Sequence, residues 1–239
     1  MNAVDLRDLS RAQAPTLDAP PHLRGAARAT WHARMINEYA SARVFVALAG
    51  HMDSLAMDDE AREAEQFARE ERRHGVLCGA VVEALGGEAK GELFATHEYP
   101  EHRDAPPRAA ILRNVISICC MSETVAVALI GAERLEMPDG DLREILTGIW
   151  ADEIGHARFG WRLLEKLVPT LSEDERAAVR AYLPTAFAHL EAHELAHLPS
   201  RGAPAGGESL GLCSGLDARV LLRETIDEVI APRIQSLVG

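Results

Sequence analysis

The sequence predicts an all-α protein: a four-helix bundle with one long crossover, extended by two C-terminal helices. Three observations carry this. Strand-like alternation is almost absent, and long apolar-periodic segments alternate with short Pro/Gly punctuation. Four of those segments each carry an acid near mid-height. The link between the second and third is long and polar where the other links in the bundle are short, as a bundle with one crossover requires.

The elements follow in order. Residues 1–27 read as a polar N-terminal arm without the apolar core of a secretory leader. A first helix spans 28–54. A second starts at Asp58 and Asp59 and stops at Gly86-Gly87. The stretch GEAKGELFATHEYPEHRDAPP then crosses to a third, from near Pro107 to before Pro138. Pro138-Asp139-Gly140 turns into a fourth helix, which stops at Pro169. The bundle domain is thus 28–168, and 169–239 adds helices to the same domain. Ser172 and Glu175 form a capping box for the fifth helix, which ends at Pro199. After an irregular connection, a last helix over 217–237 is interrupted by Pro232.

Composition bounds the function. With 47% hydrophobic and 26% charged residues, the 239-residue chain has an ordinary soluble composition and room for one sizeable core. A formal net charge of −12 without a basic stripe argues against nucleic acid. No run approaches the ~18 uninterrupted apolar residues of a membrane span. The four cysteines (Cys78, Cys119, Cys120, Cys213) contain no C-x-x-C pair, which excludes a zinc ribbon or a rubredoxin-type site. Reduced thiols in a cytoplasm is the simplest expectation.

The acids hold the chemistry. Glu38 lies in ARMINEYASARVF, and Glu71 and His74 form Glu-x-x-His in AREERRH. Glu123 lies in ICCMSETVAVALI, and Glu153 and His156 form a second Glu-x-x-His in WADEIGHARFG. Positions three apart on a helix are about 60° apart in azimuth, so each motif presents both side chains to one face. Glu38 is the only acid between Asp18 and Asp53, and Glu123 the only one between Asp104 and Glu133. A buried, unpaired carboxylate costs several kcal/mol, so such residues are paired, protonated or metal-bound. Taken together, Glu, Glu-x-x-His, Glu, Glu-x-x-His at matched helix depth is the ligand set of a two-metal carboxylate site. Oxygen-rich donors with two imidazoles and no thiolate suit two iron ions, or a manganese/iron or dimanganese pair. Glu71 and Glu153 are the natural shared ligands, Glu38 and Glu123 the terminal ones, with one imidazole per metal. Glu70 and Asp152, each preceding a motif, can accept the outer N–H of a ligating imidazole. The plain alternative is acid–histidine pairing on a solvated face.

This pattern resembles the ferritin-like superfamily of carboxylate-bridged diiron proteins over residues 28–168. EERRH at 70–74 is also similar to the acid-Glu-x-Arg-His variant of diiron oxygenase and oxidase subunits. The resemblance implies a dioxygen- or peroxide-using oxidoreductase acting on a small, apolar substrate, or alternatively a ferroxidase or iron-storage protein. It identifies no subfamily. The rubredoxin domain of rubrerythrin is missing, and the extra helices and arm exceed a storage ferritin. Tyr39, beside Glu38, points about 100° from the site, against a radical-generating reductase subunit. The added helices suit a substrate pocket wall or a homodimer interface. An external electron donor is expected, because no flavin, haem or iron–sulfur motif is visible.

Small and apolar residues flank the proposed ligands, among them Ala42, Gly75, Cys78, Cys119, Cys120, Ala126, Val127, Gly155 and Gly160. They serve either close helix packing or a narrow apolar channel. A rival site lies in AHLEAHELAHLP. His189, His193 and His197 share one face there, and His193-Glu194-x-x-His197 matches the H-E-x-x-H zinc-peptidase pattern. Against that reading, Pro199 ends the helix and no sheet precedes it to hold a peptide. His193 is the residue of this group that best suits an accessory role beside the carboxylate site.

Overall fold

A computed structural model of the chain describes residues 3–93 and 99–239, and the described residues are mostly helical. Five residues of the expected crossover, 94–98, lie outside the described residues. The chain divides into two compact units. One comprises Met1–Tyr99, Glu133–Ile149 and Ala203–Cys213, the other Pro100–Ala132, Trp150–Gly202 and Ser214–Gly239.

In the first unit, strand β1 (Ala3–Asp5) precedes a short helix α1 (Arg7–Arg11) and the long helices α2 (Pro21–Asp53) and α3 (Asp58–Ala84), then strand β2 (Lys90–Glu92). Helix α2 begins seven residues before the expected position. Pro20 and Pro21 read as arm, but a proline in the first turn lacks only an N–H that would go unpaired there anyway. Leu23, Ala27, Trp31, Met35, Ala42, Phe45, Leu48 and Met52 bury one stripe of α2 at helical spacing. Helix α3 opens with Asp58, Asp59 and Glu60, whose charges suit the positive end of the helix dipole. It ends as expected at the glycine pair: Gly86 takes φ +77°, and the Gly87 N–H returns to the Val82 carbonyl at 2.9 Å.

The two long helices run antiparallel. Phe45 meets Phe67 edge-on at 5.6 Å, Gly75 lies against Met35 and Tyr39, and Gly87 lies beside Arg28. The strands β1 and β2 pair antiparallel with Val4 opposite Gly91. Three residues each are too few to leave an alternating signal. Gly91 gives Ile36 room: a Cβ there would stand 2.5 Å from Ile36 Cδ1. The arm is therefore anchored, and the Ser10 hydroxyl donates to the Val76 carbonyl of α3 at 3.1 Å.

In the second unit, helix α4 (Pro107–Val115) passes into a π-helical stretch, Ile116–Ser122, and then into α5 (Glu123–Glu136). Helix α6 (Asp141–Leu167) follows, then α7 (Glu173–His197), α8 (Gly215–Glu224), a second π-helical stretch (Thr225–Ile230) and α9 (Ala231–Val238). Helices α5 and α6 contribute residues to both units. The capping box forms as expected, with the Ser172 hydroxyl accepting from the Glu175 N–H and the Glu175 carboxylate accepting from the Ser172 N–H. Arg113 ties α4 to α7, donating to the Ala178 carbonyl at 2.9 Å while its guanidinium covers the Tyr182 ring. The expected break at Pro232 does not occur. The π-helical stretch just before it places Pro232 in the first turn of α9, where its missing N–H costs nothing.

The stretch Pro107–Glu136 holds no uninterrupted apolar run of ~18 residues, yet its mean hydropathy is high. It is long and apolar enough to cross a membrane, with mean hydropathy 2.0 over its best 18 residues, a test that core helices also pass. Arg113, Asn114 and Glu123 are buried along it.

Candidate metal centre

Helices α2 and α3 assemble one triad within the first unit. Glu38 sits on the face of α2 that meets α3, and Glu71 and His74 project together from α3 because three residues separate them. The His74 Nδ1 lies 3.5 Å from Glu38 Oε2 and 4.0 Å from Glu71 Oε2. His74 is fully enclosed and Glu71 nearly so, while the Glu38 side chain keeps 12% exposure. Gly75, next to His74, leaves only ordinary contact distance to the Met35 carbonyl and to Tyr39, so the two helices approach closely beside the triad.

Helices α5 and α6 assemble the same three residue types within the second unit. Glu123 opens α5 directly after the π-helical stretch, and Glu153 and His156 project from α6. The His156 Nδ1 is 3.0 Å from Glu153 Oε2 and 3.8 Å from Glu123 Oε2. All three are buried. Burial, then the neighbouring Glu153 carboxylate, push the Glu123 carboxyl well above the usual carboxylate range, and His156 opposes them only in part.

Two neighbouring packing devices fix this second triad. A Cβ on Gly160 would stand 2.4 Å from Cys119 Cβ, so a glycine is what lets α6 meet the π-helical stretch. The Trp161 indole N–H donates to Thr124 Oγ1 at 3.0 Å, pinning the residue after Glu123. Among the flanking small residues, Gly160 thus serves packing. Cys119 and Cys120 are buried, Ala126 and Val127 are half-buried, and Gly155 is exposed with open space around it.

In each triad a pair of donor atoms lies 3.0–4.0 Å apart and all three ligand atoms lie within 4.8 Å of one another, close enough to hold a metal ion. Two donors at ~2.1 Å from a shared cation stand ~3–3.5 Å apart. Both imidazoles present Nδ1 to the carboxylates, so Nδ1 is the nitrogen placed to meet a cation there. The donors are hard and borderline rather than soft. Burial, then Glu38, push the Cys78 thiol up, and burial raises Cys120 as well, so neither offers a thiolate. The residues fit iron or manganese.

The residues expected to support the ligands are placed less centrally. Glu70 is half-buried and accepts a hydrogen bond from Gln66 Nε2 at 2.8 Å on its own helix, and Asp152 is half-buried. One polar pair was not foreseen. Arg34, one turn before Glu38 on α2, forms a salt bridge with buried Glu133 and stacks over Trp31 at 5.1 Å. The Trp31 indole N–H donates to the Leu210 carbonyl at 2.9 Å, and Gly211 takes φ +74° against Glu133 and Trp31.

On α7, His193 is half-buried while His189 and His197 are exposed. Glu194 is partly buried, and burial pushes its carboxyl up to about 7. Among the described residues, no cluster of three or more metal-ligating side chains includes His189, His193 or His197, so the zinc-peptidase pattern has no third ligand in place. Comparison with protein-family profiles, with curated proteins and with solved structures gives no match.

Proposed function

We propose that the two triads are halves of one carboxylate-bridged dimetal centre, in a ferritin-like four-helix bundle extended by α7 and by α8–α9. The chain is then a non-haem diiron oxidoreductase that uses dioxygen or peroxide to oxidise a small, apolar substrate. One observation carries this reading: a Glu beside a Glu-x-x-His, both imidazoles turned Nδ1-first toward carboxylates, occurs twice in the same order. Three ligands are half of what two cations need, and two triads supply the six of such a site.

When bound, a pair of iron ions supplies the electrons and Lewis acidity for reducing dioxygen or peroxide. The chain's own residues do the rest. His74 and His156 would hold one ion each, with Glu71 and Glu153 as the shared ligands and Glu38 and Glu123 as the terminal ones. A cation beside Glu123 would oppose the burial and the Glu153 charge that raise its carboxyl, and so would favour its ionised, ligating form. Buried Met35, Cys78 and Cys119, on the helices that carry the ligands, would help to exclude water from them. Glu38 alone keeps appreciable solvent contact, which puts the entry for substrate and protons on its side. Reducing equivalents come from an external donor. The free cysteines suit a reducing, cytoplasmic setting.

The test is oxygen uptake by iron-reconstituted protein against lipid, aldehyde and amine panels. Substrate-dependent uptake supports the oxidase reading. Iron oxidation without organic substrate in a large hollow assembly favours the ferroxidase and storage alternative. Absence of stoichiometric metal, with no change on chelation, makes the acids a buried structural network and defeats both.

A further inference from the structure

Three of the ten histidines fall within nine residues at the end of α7, on one helical face. The His193 and His197 rings lie 4.5 Å apart, and His189 stacks one turn back at 6.1 Å from His193. The His197 Nδ1 is 2.7 Å from the His193 carbonyl oxygen. A carbonyl only accepts, so Nδ1 carries the proton and Nε2 the lone pair. This is the backbone bond that fixes the tautomer and orientation of a ligating imidazole. The last turn is also held in place: Arg219 donates to the Leu195 and Leu198 carbonyls at 2.9 and 2.7 Å and to the Pro199 carbonyl at 3.1 Å.

We propose that His193 and His197 form a surface chelate for a borderline divalent cation of the copper, nickel or zinc class, separate in residues and chemistry from the buried triads. Two imidazoles four residues apart on a helix reach a common ion, and solvent completes its shell. His189 stands too far up the face to join the same ion. With nitrogen donors alone, the pair ranks cations by the usual order that puts copper highest. The carboxylate-rich triads instead suit iron and manganese. The chain thus carries two metal chemistries, one inside and one on its surface, and an acidic net charge raises cation concentration at both.

The probe is Cu²⁺ titrated into the full-length protein and followed by electron paramagnetic resonance. The wild type is expected to bind one Cu²⁺ with splitting from two imidazole nitrogens. His193→Ala and His197→Ala should each remove one nitrogen and weaken binding by about tenfold or more. His189→Ala should keep both nitrogens. His197 is exposed, so its replacement leaves the fold intact, and far-UV circular dichroism checks this. A copper spectrum and affinity unchanged in both His193→Ala and His197→Ala would overturn the assignment, as would a two-nitrogen signal that disappears only with His189→Ala. Copper taken up by empty triads would be common to the wild type and all three variants, so the difference between them reads the α7 histidines alone.

Discussion

The two triads use the same residue types in the same order, yet the chain builds them differently. Glu38 stands on a 33-residue helix without interruption, whereas Glu123 follows seven residues of π-helix. In the first triad the imidazole leans toward the Glu of the neighbouring helix, 3.5 Å against 4.0 Å to its own motif partner. In the second it leans toward its own motif partner, 3.0 Å against 3.8 Å. The first keeps solvent contact at Glu38, while the second is closed and its burial pushes the Glu123 carboxyl up. Motif spacing decides that Glu and His share a face. The backbone around them decides which carboxylate the imidazole meets and how wet the site is. A π-helical stretch, which inserts extra backbone per turn and is frequent at functional sites, is the means in the second triad.

The largest effect that would break the equivalence of the triads is loss of metal. Glu153→Ala and His74→Ala should each remove at least one ion per chain, read by elemental analysis of iron-expressed protein. Unchanged content in both variants would refute the ligand assignment. If the triads differ as their burial suggests, graded chelation of the wild type should release the ion beside half-buried Glu38 before the other, giving two phases rather than one.

Next in size, Arg34→Met leaves Glu133 buried without its partner beside the first triad. It should cost about 3 kcal/mol in denaturant unfolding, because removing one member of a buried pair strands the other. Gly160→Ala forces a methyl into Cys119 beside the second triad and should cost about 2 kcal/mol. It should also weaken metal retention there while sparing the Glu38 side; equal loss on both sides would deny that the triads are built independently. The smallest effect belongs to Ser172→Ala, far from either: about 1 kcal/mol from the lost cap, with metal content unchanged.

The six acids and histidines were legible because their chemistry is unusual where it stands, lone carboxylates in apolar helices at a spacing the helix turns into one face. The ends of α3 and the start of α7 were legible from Gly86-Gly87 and from Ser172 with Glu175, where local backbone chemistry acts alone. The start of α2 was misplaced because Pro20-Pro21 signals a break and a first turn equally well. The π-helical stretches left no trace, since an apolar run such as Ile116–Met121 reads the same at either pitch. The Arg34–Glu133 pair was invisible because its members are distant in sequence and meet only through folding.

The central claim is that two triads hold one pair of cations. Anomalous scattering at the iron edge, from crystals of iron-loaded protein, tests it most directly. The prediction is two adjacent peaks per chain, ligated by Glu38, Glu71 and His74 together with Glu123, Glu153 and His156. Carboxyl groups clasping arginines with no ion between them, or a single ion held by one triad alone, would contradict it.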